Sequence, residues 1–279
     1  MKDIIIKADN LTFSYDDANS YSLNGLSLEI ERGRKVAFMG ANGAGKSTFF
    51  LCLNGIHRPS SGMLYINGEP VDYSKKGLLD LRSKVGIVFQ DPDNQLFSAS
   101  VFQEISFGAL NIGMSKEEAT DAVNQVIDWL EIAPFADKPT HSLSGGQKKQ
   151  VSIADVLVMN PEVIILDEPS ASLDPKHGII VNKIIDMLVE RGITVLVSTH
   201  DVDYALEWAD DIALIHDGKT LMYGAPEEVF GDDEVLAKTN LKKPAAMELF
   251  DSLVAKGVLP ETLPVPKSLA ALEAYIHKI

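Results

Sequence analysis

The stretch Gly40-Ala-Asn-Gly-Ala-Gly-Lys-Ser-Thr48 constrains this chain more than any other. It matches G-x-x-x-x-G-K-[ST], with a strand pattern before it (KVAFMG, 35–40) and a helical pattern after it, through Ser47 to about Asn54. Each residue type has a physical task. Gly40, Gly43 and Gly45 let the backbone bend so that successive N–H groups point at one anion, with Asn42 between them. The helix that follows brings partial positive charge at its N-terminus, around Thr48. Lys46 can reach the outer phosphates of a bound triphosphate. Ser47 offers a hydroxyl to Mg²⁺, which takes oxygen ligands.

Such a loop needs a sheet. Apolar strand patterns recur at IIIKADNLTFSY (4–15), LSLEI (26–30), SSGMLYINGEPV (60–71, with Asn67-Gly68 as the turn), VGIVFQ (85–90), EVIILDE (162–168), ITVLVST (193–199) and DIALIHDG (211–218). A helix fits between the last but two and the last but one, over roughly 176–190. Buried strands alternating with helices predict an α/β fold with a parallel sheet covered on both faces. From about 91 to 160 the pattern is helical. Within it, Ser115 and Glu118 have the spacing of a capping box at the head of SKEEATDAVNQVIDWL. This predicts a helical insert. From about 231, PAAMELFDSLVAKG and SLAALEAYIHKI flank the proline-rich LPETLPVPK and predict a small C-terminal helical extension. The expected division is thus 1–230 and 231–279.

Ligands of open α/β sheets bind beyond the carboxyl ends of the strands. Asp167 and Glu168 end one strand pattern, Gln90 another and His200 follows a third. Asp167 is expected to hold Mg²⁺. Adjacent strand residues point to opposite faces, which frees Glu168 to accept a hydrogen bond from a water attacking the outermost phosphate. Gln90 is expected to sense Mg²⁺ or water, and His200 to hydrogen-bond that phosphate.

Charge narrows the partners. The chain carries 25 Lys+Arg and 40 Asp+Glu, net −15. Residues 1–90 hold 11 against 9 and residues 91–279 hold 14 against 31, so the part with the phosphate loop is near neutral. Non-specific nucleic-acid binding relies on neutralising phosphates and is not expected of so acidic a chain. The single cysteine, Cys52, allows no disulfide within the chain and is expected to be buried on a helix. No run approaches the ~18 apolar residues of a membrane span. The N-terminus has the pattern of a strand and not of a signal peptide. The expectation is a cytoplasmic protein that reaches a membrane only through partners.

A second glycine pair, in Leu143-Ser144-Gly145-Gly146-Gln147, precedes an apolar helical run. Taken in order, Tyr15, the phosphate loop (Walker A), Gln90 (Q-loop), LSGGQ at 143–147, the strand ending in Asp167-Glu168 (Walker B), Ser172-Leu173-Asp174 (D-loop) and His200 resemble the ATP-binding subunit of ABC transporters over about residues 3–230. That resemblance implies a P-loop ATPase with an antiparallel β subdomain and a helical subdomain, using ATP and Mg²⁺. It also implies two ATPase units stacked head to tail, as a homodimer or with a related chain. Ser144, Gly145, Gly146 and Gln147 would then face ATP held by the partner's Lys46 loop, and Asp174 would couple the two sites. Tyr15 resembles the aromatic that stacks on adenine, with Phe13 and Tyr21 as further candidates. Three positions depart from the family pattern. Gln150 stands where many members have arginine, Asp155 where a small residue is common, and Ser172 where glycine is usual.

The segment Gln90-Asp-Pro-Asp-Asn-Gln-Leu-Phe97 and the later YGAPEEVF (223–230) resemble energy-coupling-factor and cobalt/nickel importer ATPases. This implies a chain at the cytoplasmic face of the membrane whose Q-loop and helical insert receive integral membrane subunits. It would energise uptake of cobalt, nickel or a vitamin, with cargo bound elsewhere. The alternatives are the ATPase of another ABC importer class and a non-transport ABC ATPase.

Overall fold

The computed structural model describes residues 2–15, 21–171 and 173–277. The chain opens with β1 (Ile4–Phe13) and β2 (Leu23–Glu31), which pair antiparallel. After β3 (Lys35–Met39) and α1 (Lys46–Leu53), β4 (Ser61–Ile66) and β5 (Glu69–Pro70) join the other edge of β1. The result is an antiparallel sheet of order β2-β1-β4-β5. Residues in β2 alternate between buried and exposed along much of its length, as expected of a sheet with one face on the core.

A second sheet follows. After α2 (Lys75–Lys84) come β6 (Val85–Val88), the helical insert α3 (Val101–Asn111), α4 (Lys116–Trp129) and α5 (Gly145–Leu157), and then β7 (Val163–Asp167). Next are α6 (Pro175–Glu190), β8 (Thr194–Ser198), α7 (Val202–Trp208), β9 (Asp211–His216) and β10 (Lys219–Gly224). The strand order is β10-β9-β3-β8-β7-β6. The sheet is mixed and not wholly parallel, because β10 returns antiparallel to β9. The Asp217-Gly218 turn forces that return, both residues having positive φ (48° and 71°).

Strand β3 is buried on both faces. Ala37 and Met39 enter the core shared with the helical insert, whereas Val36 and Phe38 enter the core shared with the antiparallel sheet and α1. Phe38 meets Phe50 edge-on at 5.0 Å and Phe49 at 5.7 Å. Helix α1 is therefore held from within, and the phosphate loop rests on a rigid mount. Cys52 is buried on that helix, and desolvation pushes its thiol up to about 12.

The expected capping box is formed: the Ser115 hydroxyl accepts from the Glu118 N–H, and the Glu118 carboxylate from the Ser115 N–H. At the other end of the chain, α8 (Pro226–Gly231), α9 (Asp233–Thr239) and α10 (Ala245–Ala255) place Phe230, Leu236, Ala246 and Met247 against the main core. With α11 (Leu269–Ile276), α10 also encloses a separate small cluster of Phe250, Leu259 and Leu272.

Asp155 is held against the segment that follows Gln90. It is partly buried in α5, accepts from Gln95 Nε2 at 3.1 Å, and desolvation raises it to about 7, with Glu104 adding to the rise. In the unfolded chain it would ionise near 3.8. The folded state therefore holds an extra proton between these values, and stability falls as pH rises through that window. Asp155→Asn should raise the unfolding midpoint at pH 8, by up to about 4 kcal/mol in stability, and change little at pH 4. Thermal melts at the two pH values check this; an equal effect at both would contradict it.

Candidate functional site

Four parallel strands end at one edge of the mixed sheet. Phe38 is in register with Ser198, Ser198 with Asp167, and Val88 with Leu166. Gly40, His200, Glu168 and Gln90 each lie two residues beyond one of these positions, so they emerge together. Gln90, Glu168 and His200 border a cleft of about 510 Å³ that is also lined by loop residues 42–48 with Tyr15, Ser22 and Asp167. That size suits one nucleotide.

The loop needs its glycines. Gly40 has φ +136°, and a Cβ there would lie 2.1 Å from the Ile215 carbonyl oxygen. Gly45 has φ +110°, and its Cβ would lie 2.5 Å from the Ser22 carbonyl oxygen. Helix α1 begins at Gly45 with no side-chain cap. Its first-turn N–H groups are the donors a phosphate would satisfy. Lys46 Nζ donates to the carbonyls of Gly40 (2.6 Å) and Ala41 (3.1 Å). Burial lowers its pKa, while Glu168 and Asp167 oppose the drop.

Opposite the loop, Ser47 Oγ donates to Asp167 Oδ2 at 2.9 Å. Ser198 Oγ donates to Asp167 Oδ1 and accepts from the Glu168 N–H at 2.8 Å, so one hydroxyl sets both acidic residues. Glu168 lies outside the strand. Its φ is +43°, and β7 ends at Asp167. Strand alternation therefore ends before Glu168, and both carboxylates face the same cleft because the backbone turns between them. A positive φ at a non-glycine residue costs about 1–3 kcal/mol and is typical of functional sites. Gln90 Nε2 donates to Glu168 Oε2 at 3.1 Å, and His200 Nε2 lies 2.9 Å from Oε1. Gln90 thus touches Glu168.

The N-terminal aromatics form a platform at the rim. Tyr15 is 58% exposed, and its hydroxyl is 3.2 Å from Thr48 Oγ1. Its ring meets Phe13 at 5.1 Å and His57 at 5.2 Å, while Phe13 stacks on His57 at 4.6 Å. Phe13 is a support, and Tyr21, though exposed, is not among the residues lining the cleft.

The second glycine pair opens α5. Ser144 is its N-cap: its hydroxyl accepts from the Gln147 N–H at 3.3 Å, and its own N–H donates to Gln147 Oε1 at 3.0 Å. Ser144 and Gly145 are exposed. Gly146 is buried, and a Cβ there would lie 2.0 Å from the His177 ring. His177 Nδ1 sits 2.5 Å from Asp174 Oδ2, and Asp174 caps α6 through the His177 N–H. His177 thus joins Asp174 to the glycine pair, a link that no sequence motif signalled. Ser172 lies outside the described residues. None of residues 143–147 lines the cleft.

The donor set fits a triphosphate with Mg²⁺: N–H groups and a lysine on one side, a hydroxyl and a carboxylate on the other. Among the described residues, no group of three or more His, Cys, Asp or Glu is placed to hold a metal by itself.

A family model described as ABC transporter matches residues 23–171. The chain belongs to the ABC transporter ATPases. It is 45% identical over 258 residues to the energy-coupling factor transporter ATP-binding protein EcfA3 of Clostridium perfringens, covering 92% of this chain and 90% of that protein. Among solved structures it is similar to cbiO1 of Clostridium perfringens, described as part of the ABC transporter complex cbiONQ, with 45% identity and a TM-score of 0.73 over 90% of this chain and all of that one. It is also similar to the ATP-binding cassette MJ0796, solved as a dimer in a post-hydrolysis state bound to ADP and Pi. There the identity is 29% and the TM-score 0.71, over 80% of this chain and 99% of that one. As in other ABC ATPases, membership implies ATP binding and hydrolysis. No described helix is long and apolar enough to cross a membrane.

Proposed function

We propose that this chain hydrolyses ATP to energise an importer of the energy-coupling-factor type, acting as one of two ATPase subunits joined head to tail. One observation carries the reading. Two helices of the chain start at glycine-rich turns, but the Ser144 turn does not line the cleft made by the chain's own Lys46 loop. In this reading a second copy meets that exposed helix N-terminus. That MJ0796, a similar cassette, was solved as a dimer bound to ADP and Pi supports a paired state.

In this reading Lys46 and the loop N–H groups hold the β- and γ-phosphates, and Tyr15 stacks on adenine. Ser47, Gln90 and Asp167 hold Mg²⁺, which neutralises phosphate charge when bound. Glu168 takes the proton of the attacking water. Gln90 and His200 each engage one of its carboxyl oxygens and so fix its orientation. Ser144 and the Gly145 and Gly146 amides bind the partner's γ-phosphate, Gln147 shapes their turn, and Asp174 ties them to α6. Phosphoryl transfer of this kind is mostly positioning and charge stabilisation.

Residues 1–230 would be the ATPase body and 231–279 a C-terminal extension. Just after Gln90, Phe97 is 67% exposed and meets the exposed Phe107 edge-on at 5.0 Å, beside the exposed Leu110. An apolar patch there suits a helix of a membrane subunit at the cytoplasmic face. The relatives are named as transporter subunits, which supports a role in transport; in this reading the transport is import, with cobalt, nickel or a vitamin as cargo held by other subunits. Affinity capture from detergent-solubilised membranes should recover integral membrane proteins, less so with Phe97→Ser. Recovery of ribosomes alone would contradict the reading and favour a non-transport ATPase.

A further inference from the structure

We propose that Lys149 and Gln95 act as a latch that fixes the segment carrying Gln90 to helix α5, whose N-terminus is the Ser144 turn. The latch would make the catalytic geometry of a chain's own cleft depend on its grip on the partner's nucleotide. The inference rests on the head-to-tail reading above.

Lys149 lies five residues beyond Ser144 and is 1% exposed. Its Nζ donates to two consecutive carbonyls, Phe89 at 2.8 Å and Gln90 at 2.7 Å. A buried ammonium is costly unless its hydrogen bonds are met, and an apolar side chain would fill the same space at less cost. The cation is therefore a specific clamp on the backbone of the Gln90 segment. Gln95 closes that segment's other end. Its Nε2 donates to the Ser152 carbonyl at 2.9 Å and to Asp155 Oδ2 at 3.1 Å, while its Oε1 accepts from the Phe89 N–H at 3.3 Å. On the surface, Lys148 Nζ meets Asp93 Oδ1 at 2.5 Å. Residues 89–95 thus move with α5. The side chain of Gln90 in turn reaches Glu168. A continuous set of contacts runs from Ser144, along α5, through Lys149 to Gln90 and Glu168. Lys149 and Gln95 line no part of the cleft, so they are positioning residues.

The test uses the full chain and MgATP. Lys149→Met keeps length and shape but removes the donors. In a Glu168→Gln background it should leave MgATP affinity of the monomer within about twofold, while the MgATP needed for half-maximal dimer rises about tenfold, the size expected for losing a charged buried hydrogen bond. In the otherwise unaltered chain, kcat should fall and the Hill coefficient for ATP should drop from about two towards about one. Lys149→Arg, which keeps the cation, should restore part of the loss. Gln95→Leu, at a less buried position, should shift the same readouts and decides the matter if Lys149→Met does not fold. Unchanged dimer midpoints and Hill coefficients in the folded variants would overturn the latch while leaving the dimer intact. Failure of Glu168→Gln itself to dimerise would instead overturn the head-to-tail reading, and the latch with it.

Discussion

Glu168→Gln is expected to lower ATP hydrolysis by about 10²–10⁴-fold, the range for loss of a positioned general base, with MgATP binding unchanged. The Glu168 carboxylate is held at both oxygens, by Gln90 Nε2 and His200 Nε2, and in the proposed reading it takes the proton of the attacking water. Glutamine keeps the volume and the hydrogen bond from Gln90 after an amide flip, but it cannot accept the proton. In the proposed reading nucleotide binding rests on other residues: Lys46, the loop N–H groups and the Ser47–Asp167 pair. The variant should therefore bind and not turn over. Single-turnover hydrolysis and equilibrium binding measured side by side check this, and turnover at the wild-type rate would remove Glu168 from its role.

Ser144→Arg is expected to reduce hydrolysis by about 10²-fold or more, as when one preorganised donor to a developing charge is lost. The arginine breaks the capping box with Gln147 and places a long side chain on the exposed face of the turn. Because residues 143–147 do not line the chain's own cleft, MgATP affinity of the monomer should stay within about twofold of wild type. Isothermal titration at concentrations below dimer formation separates the two effects. A collapse of monomer affinity would mean that the turn belongs to its own chain's site.

The parts of this site that local chemistry dictates are legible in the sequence. The loop glycines are demanded by backbone angles and by the close approach of the Ile215 and Ser22 carbonyls. Strand patterns put Gln90, Asp167 and His200 at strand ends, and parallel pairing does the rest. The Ser115 cap is a property of four consecutive residues. Other features depend on distant partners and leave little local trace. Ser198 matters only because β8 sets it beside Asp167 and Glu168. Lys149 looks like a solvated charge until the Gln90 segment folds over it. Helix α2 has a mixed polar pattern, with only Leu81 fully buried, so periodicity does not announce it. Strand β10 did leave a signal, the Asp217-Gly218 hairpin turn, and the alternation of Lys219–Gly224 is too weak to extend it. The turn at Glu168 is the most consequential difference, since it brings to one cleft two carboxylates that a regular strand would separate.

The central claim is that nucleotide is enclosed between two copies, lysine coming from one and the serine–glycine turn from the other. Sedimentation of Glu168→Gln with and without MgATP tests it most directly. The account predicts a species of twice the chain's mass only with MgATP, holding one nucleotide per chain, and its loss when Ser144→Arg is added. A nucleotide-saturated protein that stays at the mass of a single chain would contradict it.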